Sequence, residues 1–439
     1  MKEISFYGAF LALFFVLIIP SALCFSQNIG IGTSIPAFKL DVKNGSINTD
    51  SVYRIAGKRV LAAYLQNTFV GSGTANVNTG DYNTAVGNEA FFSNTTGERN
   101  TALGLWALYS NATGNYNTGV GKSALHLNIN GNGNTAQGYE ALYYNTASFN
   151  TAVGYHALLF NTSGPLNTAN GYAALGQNTT GGSNTAQGTQ ALFSNTSGSY
   201  NTAVGYQALY SNSYGRYNTA QGYKALYGNL TGFDNTAIGV EALYSNSSGE
   251  HNTAIGHHSD VTSGNLLNAT VIGYAAEVDA SNKVRIGNTV VTSIGGQVGW
   301  SNFSDGRYKQ SIREDVPGLS FVTALRPVTY TVDTKSLDEN YYKLKPGIAS
   351  STNTSYRHTG FIAQEVERSA TELGFTFSGV DKPQQPDGLY GLRYAEFVVP
   401  LVKAVQEQQQ QINHLQAEIE LLKGQNKLLI QLINKNNRE

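Results

Sequence analysis

Residues 200–216 read YNTAVGYQALYSNSYGR, and this unit recurs through about half of the 439-residue chain. Its Asn-Thr pair reappears every seventeen residues, with two steps of sixteen. The pairs begin at Asn83, Asn100, Asn117, Asn134, Asn150, Asn167, Asn184, Asn201, Asn218, Asn235 and Asn252, and Asn268-Ala269-Thr270 is a degenerate last copy. A fixed period of this length indicates a repeat architecture in which each unit packs on the next.

Each unit contains a short alternating run, such as Thr202 to Val204, then a glycine and a second run, Ala208 to Tyr210. A turn rich in Asn, Ser and Gly completes it. The unit is too short for a helix pair, and its β-branched and aromatic residues favour strands. We therefore predict a parallel β-solenoid or β-roll of about twelve coils, each with two short strands. At roughly 4.8 Å per coil the rod would be about 55–60 Å long. Equivalent Asn and Thr side chains are expected to form ladders along it.

The units NTAVGYQAL at Asn201, NTAIGVEAL at Asn235 and NTAIGHHS at Asn252 resemble the head repeats of trimeric autotransporter adhesins of the YadA type. The resemblance covers residues 80–275 and implies a β-roll assembled as a homotrimer. The period is slightly longer than is usual in those repeats, and no outer-membrane barrel follows. A narrow solenoid also buries little surface per chain, which favours packing several chains together.

The first 26 residues have the outline of a secretory signal peptide: Lys2, an apolar run from Tyr7 to Leu23, and a cut near Ser26-Gln27. An uncleaved membrane anchor is the alternative, because the run is close to spanning length. Cleavage would leave a mature chain that is secreted or on the cell surface, without a membrane-spanning segment. Residues 27–80 are predicted to form a cap, and residues 81–303 the solenoid with its connecting strands.

Charged residues make up only 13% of the chain and the formal net charge is −1, so the sequence indicates no nucleic-acid partner. No cofactor is expected, and no metal site, because His257 and His258 are adjacent and would point to opposite faces of a strand. Asn94 and Asn195 begin glycosylation sequons, which Asn/Ser/Thr-rich turns produce often. The ordered rows of Thr and Asn could bind a glycan, although a passive structural ladder is the favoured interpretation.

The composition changes at FSDGRYK, residues 303–309, where charges become frequent. Three further stretches follow in order: GLSFVTALRPVTYTV, HTGFIAQEVE and LYGLRYAEFVVPLVKAVQEQQ. Alone, the first would be an ordinary polar turn. Together the four resemble the self-cleaving intramolecular chaperone domain of endosialidase-type phage tail spikes and fibres, serine peptidase family 74, over residues 304–411. We assign residues 304–397 to this mixed α/β domain.

The resemblance implies specific roles for residues of the first stretch. Ser304 would be the nucleophile and Lys309 its base, and the Phe303–Ser304 bond would be cut once per chain. Asp305 and Arg307 complete the Ser-Asp-x-Arg-x-Lys signature of the family. Three later residues match other family positions and are expected to support the site without being catalysts: His358, Gln364 and Glu365. A serine hydroxyl needs a base, and lysine is a base only when its pKa is lowered.

Residues 398–435 continue a heptad pattern that predicts a coiled coil. The core positions are Val398, Leu401, Val405, Ile412, Leu415, Ile419, Leu422 and Leu429, with Asn426 at one a position. β-Branched residues at a and Leu at d favour a dimer on intrinsic grounds. The resemblance of the repeats favours a trimer, which we expect because the helices are tied to the solenoid.

The combined prediction is a fibre-like trimeric adhesin or structural protein that an intramolecular chaperone assembles before releasing itself by autoproteolysis. The alternative keeps the C-terminal domain attached as a permanent trimerisation domain on a structural or glycan-binding solenoid. An enzymatic role for the repeats is disfavoured, because no pair of carboxylates recurs at a spacing suited to glycoside hydrolysis.

Overall fold

The computed structural model describes residues 66–333, 336–337, 357–383 and 388–437, together with the backbone of four upstream strands. These strands are β1 (Ile29–Ile31), β2 (Leu40–Val42), β3 (Val52–Ile55) and β4 (Lys58–Tyr64). The predicted signal peptide lies outside the described residues. Strand β4 lies between β3 and β5 (Asn67–Val70) and pairs antiparallel with both, so β3 and β4 lead into the repeats from one edge.

The repeats form a β-solenoid of about thirteen turns with seventeen-residue spacing, which confirms the predicted architecture. Strands β3 to β16, β18 and β20 make one sixteen-stranded sheet, parallel from β5 onwards. The strands after β5 are β6 (Thr84–Val86), β7 (Thr101–Leu103), β8 (Thr118–Val120), β9 (Thr135–Gln137), β10 (Thr151–Val153), β11 (Thr168–Asn170), β12 (Thr185–Gln187), β13 (Thr202–Val204), β14 (Thr219–Gln221), β15 (Thr236–Ile238), β16 (Thr253–Ile255), β17 (Asp260–Val261), β18 (Thr270–Ile272), β19 (Glu277–Val278) and β20 (Val284–Ile286).

The second strand predicted for each coil is absent from most coils. In the coil that begins at Asn201, Gln207 and Leu209 have left-handed backbone, with φ of 53° and 52°. The run still bonds to the next coil, since Leu209 N–H donates to Ala225 O at 2.9 Å. Ala208 and Leu209 are both fully buried. Two consecutive side chains cannot face the same core from a strand, so the backbone has to curl here.

The last coils behave differently, and there the second run does form strands. β17 and β19 pair in parallel, with Asp260 opposite Glu277 and Val261 opposite Val278. The two valines are buried, while Asp260 and Glu277 are half-buried. The pattern Asp-Val or Glu-Val alternates polar and apolar residues, whereas Ala-Leu does not, and this difference decides the local backbone.

Two ladders of buried asparagines run through the solenoid beside its Ala and Leu core. In the first, the backbone N–H of Asn201 donates to Asn184 Oδ1 at 2.9 Å. In the second, Asn212 Nδ2 donates to Asn195 Oδ1 at 2.8 Å. The amides of Asn201 and Asn212 both donate to the carbonyl oxygen of Gly215, at 2.8 and 3.0 Å. The predicted Asn ladders are therefore present, and they satisfy polar groups that would otherwise be buried without partners.

Glycine is required where neighbouring coils approach most closely. Gly205 has φ of 133°, and a Cβ built on it would collide with the carbonyl oxygen of Gly222 in the next coil. Asn94 and Asn195, which begin two of the sequons, are fully buried members of the second ladder. Their amides face the interior of the folded solenoid and cannot meet a glycosylating enzyme there.

A small mixed α/β unit follows the solenoid. Its elements are α1 (Leu319–Ala324), β21 (Val328–Tyr330), β22 (His358–Gly360), α2 (Ala363–Glu372), β23 (Val380–Asp381), β24 (Gly391–Leu392), a 3₁₀ turn at Tyr394–Phe397 and the 39-residue helix α3 (Val398–Asn436). The two hairpins β21–β22 and β23–β24 are antiparallel. None of the helices in the described ranges is long and apolar enough to cross a membrane.

Replacing a ladder asparagine should destabilise the solenoid. In Asn184→Ala, the buried N–H of Asn201 loses its acceptor, and an unsatisfied buried donor costs about 1–3 kcal/mol. The urea midpoint measured by circular dichroism should fall accordingly. Thr202→Ala, which changes an exposed side chain of the same sheet, should shift the free energy of unfolding by no more than about 0.5 kcal/mol. Equal shifts for the two variants would contradict a structural role for the ladder.

Stability should also depend on the pH through Glu277. Burial and the facing Asp260 raise the pKa of Glu277 to about 7. The unfolded chain loses this proton near pH 4.3, so stability should fall as the pH rises from about 4.3 to about 7, by on the order of 2–3 kcal/mol. Glu277→Gln should remove this part of the decline between pH 5 and pH 8 in urea titrations. Glu98→Gln, at a more exposed carboxylate, should leave the decline as it is in the wild type.

Candidate functional site

The segment at the solenoid boundary is organised by one turn of 3₁₀ helix, Gly306–Tyr308. Asp305 caps this turn, because its Oδ1 accepts from the backbone N–H of Arg307 at 2.9 Å. The N–H of Lys309 closes the turn on Gly306 O at 3.2 Å. Five residues of extended chain would span about 17 Å, so this turn is what brings the two ends of the segment together.

The turn places the Nζ of Lys309 2.7 Å from Ser304 Oγ, within hydrogen-bonding distance. A nucleophile and its base have to be this close for the proton to be transferred. Phe303 is fully exposed and Ser304 is exposed, so the peptide bond between them is open to solvent. The structure therefore brings together the two residues for which the sequence predicts catalytic roles, in an arrangement suited to acyl transfer.

Arg307 interacts with Asp305 and does not reach towards the dyad. Its Nε and Nη2 donate to the Asp305 carboxylate at 3.0 and 2.6 Å. These hydrogen bonds lower the pKa of Asp305 and raise the pKa of Arg307. The signature residues between Ser304 and Lys309 thus hold the turn in shape. Because the charge of Arg307 is already compensated, it is a weak source of the positive field that would help deprotonate a lysine.

The three supporting residues predicted from the sequence lie in the small α/β unit. His358 is exposed on β22, where its ring stacks on Tyr330 with centroids 5.7 Å apart. Gln364 is exposed in the first turn of α2. Glu365 pairs with Arg326, whose Nη2 donates at 2.6 Å, and this bond lowers the pKa of Glu365. Ser304 and Lys309 make no hydrogen bond or ion pair to this unit in the described part of the chain.

The other three quoted sequence stretches meet in one hydrophobic core. Phe321 from the second stretch, Val366 from the third and Phe397 from the fourth belong to it, and Phe321 is fully buried. The ring of Phe377 contacts those of Phe321 and Phe397, with centroids 5.0 and 4.8 Å apart. These stretches therefore specify a scaffold, and only the first stretch contains the exposed serine and lysine.

The scaffold is joined to the base of the long helix by a contact that the sequence did not reveal. Glu407 of α3 accepts from the N–H of Leu319 at 2.7 Å, and so caps the first turn of α1. Gly318 fits against Ala404, where a Cβ would collide with the α3 backbone and with the Glu407 side chain. A carboxylate at a helix N-terminus is favourable for its charge as well as its hydrogen bond. Gly318, the first residue of the GLSF stretch, was the feature of the sequence that could have indicated this close contact with α3.

The predicted coiled-coil core lies along one side of α3 and is exposed in the single chain. Its a and d residues are 47–56% exposed; they are Val398, Leu401, Val405, Ile412, Leu415, Ile419, Leu422 and Leu429. Only Pro400 and Ala404, near the base of the helix, are buried. A continuous apolar seam on a helix that projects from its domain is typical of a surface that packs against other helices.

No group of three or more His, Cys, Asp or Glu side chains that could hold a metal ion occurs among the described residues. His257 and His258 lie in the turn after Gly256 and not on a strand as the sequence suggested. His257 stacks on Tyr274 of the next coil, with ring centroids 5.5 Å apart. His258 lies 3.2 Å from a carboxylate oxygen of Glu241.

Comparison with known proteins identifies one part of the chain. Residues 304–375 match the family model described as chaperone of endosialidase. The searches of curated proteins and of solved structures found no match. The likeness of the repeats to adhesin heads is therefore still a prediction. The matched region begins at Ser304, directly after the solenoid and its connecting strands. The chain thus carries, C-terminal to a β-solenoid, a domain of the chaperone-of-endosialidase family.

Proposed function

We propose that this protein is a secreted or surface-exposed, fibre-like homotrimer with an adhesive solenoid. Its C-terminal unit assembles the three chains and then releases itself by cutting the Phe303–Ser304 bond. The observation that carries the proposal is the 2.7 Å hydrogen bond between Lys309 Nζ and Ser304 Oγ at the first residue of the family match. A domain of this family on a β-solenoid supports a tail-fibre-like structural protein.

The proposed cleavage uses groups on one chain. Ser304 Oγ attacks the carbonyl carbon of Phe303 while its proton passes to Lys309 Nζ. The C–N bond then breaks, and the amine of Ser304 leaves with a proton, so an ester joins Phe303 to the serine oxygen. Water hydrolyses this ester and yields a Phe303 carboxylate and a new N-terminus at Ser304. Since the reacting groups share a segment, the entropy of bringing them together has largely been lost on folding.

Assembly would switch this chemistry on. Lysine acts as a base only when burial or a neighbouring positive charge lowers its pKa. In the single chain Lys309 is exposed, and the guanidinium of Arg307 is paired with Asp305. In the trimer, the neighbouring chains would bury Lys309. Cleavage would then follow assembly, and a chain that had not assembled would keep its chaperone.

The long helix is the proposed means of trimerisation. The seam that it exposes is broad in its last heptads, where Ile430 and Leu432 lie beside the d residue Leu429 and are 58% and 59% exposed. A stripe that includes flanking positions is wider than a two-stranded seam needs. Asn426, a polar residue at a core position, would fix the register of the helices. Alignment by the helices matters because identical coils can pair out of step at little local cost.

Cleavage should depend on both residues of the dyad. Expression of residues 27–439 should give, on a denaturing gel, a C-terminal fragment whose N-terminal sequence starts at Ser304. Ser304→Ala should abolish this fragment. Lys309→Arg, which keeps the charge but cannot lose its proton, should do the same. Ser301→Ala, at an exposed hydroxyl of the same segment, should cleave normally. An intact wild-type chain would instead favour a permanent trimerisation domain.

Trimerisation should depend on the seam of α3. Native mass measurement of the uncleaved Ser304→Ala chain should give three copies. Adding Ile412→Asp and Leu415→Asp should yield monomers, because charges would then be buried in the apolar seam. Adding Gln410→Asp and Ala417→Asp, which place two acidic groups on the opposite side of the helix, should preserve the trimer. A dimeric mass, or a trimer that survives both seam changes, would contradict the proposal.

A further inference from the structure

One region of the solenoid surface departs from the repeat and forms a groove. The position two residues after the conserved glycine usually carries a long polar side chain, such as Gln190, Gln207 or Lys224. In the coil that begins at Asn117 this position is Ser123, which is small and nearly fully buried. The missing side chain leaves a groove of about 320 Å³ over Ser123, here called the Ser123 groove. This volume is at the lower end of the range for small-molecule sites.

Aromatic rings form one wall of the Ser123 groove. Tyr109, His126 and Tyr143 stack along the solenoid axis, with ring centroids 5.0 and 4.8 Å apart. Burial is the main cause that lowers the pKa of His126, so its ring is neutral near pH 7 and stacks as an uncharged aromatic. Tyr109 and His126 each stack on rings of both neighbouring coils, which holds the wall in place.

Trp106 stands at one end of the groove, and its orientation is fixed by the protein. Its Nε1 donates to Glu89 Oε2 at 2.9 Å, and its ring edge approaches His126. The side chain is 38% exposed. The ammonium of Lys122 lies 5.9 Å from the centroid of the Trp106 ring and 5.4 Å from that of Tyr139. An exposed indole held in place in this way offers a ready surface for a ligand.

Polar groups converge on the same space. Glu140 closes the groove opposite Trp106, and one of its oxygens is 3.0 Å from His156 Nε2. Within the described chain, Ser123 Oγ makes no hydrogen bond and Lys122 makes no ion pair, so both can donate to a ligand. The groove therefore has two free donors, carboxylate acceptors and an aromatic surface, which is the composition of a specific small-molecule site.

The charges decide which class of ligand fits. An anion would meet the carboxylates of Glu89 and Glu140 against a single lysine. A cation would compete with Lys122, whose ammonium already lies over the rings that would attract it. A neutral ring with apolar C–H faces and several hydroxyls suits the site, because its C–H bonds pack on the negative face of an aromatic ring while its hydroxyls are hydrogen-bonded.

We propose that the Ser123 groove binds a neutral pyranose sugar of a surface glycan. The aromatic residues contact the face of the sugar, Lys122 and Ser123 donate to its oxygens, and Glu140 accepts from a hydroxyl. This inference deepens the adhesive role proposed above by assigning it a site and a ligand class. It does not depend on the self-cleavage, and the uncleaved Ser304→Ala chain can be used to test it separately.

The test uses an array of immobilised neutral and acidic saccharides, probed with the full Ser304→Ala chain. At least one neutral pyranose saccharide should bind. Ser123→Gln should weaken that binding by about tenfold or more, because it fills the groove. It should fold, since Gln190 and Gln207 occupy the equivalent position with φ of 56° and 53°, against 59° at Ser123.

The matched control is Ala173→Gln, which fills another small residue of this column, three coils away. It should bind like the parent chain, because Gly176 replaces the aromatic wall there. As a second readout, Trp300→Phe leaves Trp106 as the chain's one tryptophan, and its fluorescence should shift on titration with the best saccharide from the array. Trp106→Ala should abolish the binding. Binding of acidic saccharides alone, binding unaffected by Ser123→Gln, or no binding at all would overturn the proposal.

Discussion

The solenoid depends on the hydrogen bonds that its buried asparagines make with the backbone. A coil of seventeen residues has a core of little more than two alanines and a leucine. Burial of so few apolar groups cannot offset the cost of burying backbone N–H and C=O groups without hydrogen-bond partners. The first asparagine of each coil solves this problem by accepting from the backbone of the next coil, as Asn184 does from Asn201. The second asparagine ladder supports the glycine turn in the same way. The repeat is thus defined by its hydrogen bonds as much as by its apolar residues.

The period, the parallel register and the ladders could all be predicted from the sequence, because each follows from identical residues that recur at a fixed spacing. The second run of each coil could not be predicted as easily. Strand propensity favoured a strand for Ala208 to Tyr210, yet two adjacent buried side chains need a curled backbone. The adjacent apolar residues Ala208 and Leu209 indicated the curled backbone, because they break the alternation of apolar and polar residues that a strand requires. Where alternation returns, at Asp260-Val261, the strand returns with it.

The same contrast applies at the C-terminal domain. The sequence predicted that Ser304 and Lys309 form a pair. The 3₁₀ turn explains how they can, because it folds the segment back and brings the two side chains within hydrogen-bonding distance. The position of His358 and Glu365 could not be derived from spacing, since it depends on how α2 and the hairpin pack on Phe321. The Glu407 cap on α1 also joins residues 88 apart in the sequence, a distance over which local patterns carry no information.

The constant interior has a consequence for how the outside of this protein can change. Inward positions repeat almost without variation, while the position after the glycine changes from coil to coil and is polar in some, aromatic in others and aliphatic in Leu105 and Val240. Surface chemistry is therefore uncoupled from folding, and the Ser123 groove differs from its neighbours by a few outward side chains on an unchanged frame. Such a frame is modular: exchanging coils would move, duplicate or erase a recognition site without a new fold. Variation of the exterior and conservation of the interior can then proceed independently in the same seventeen residues.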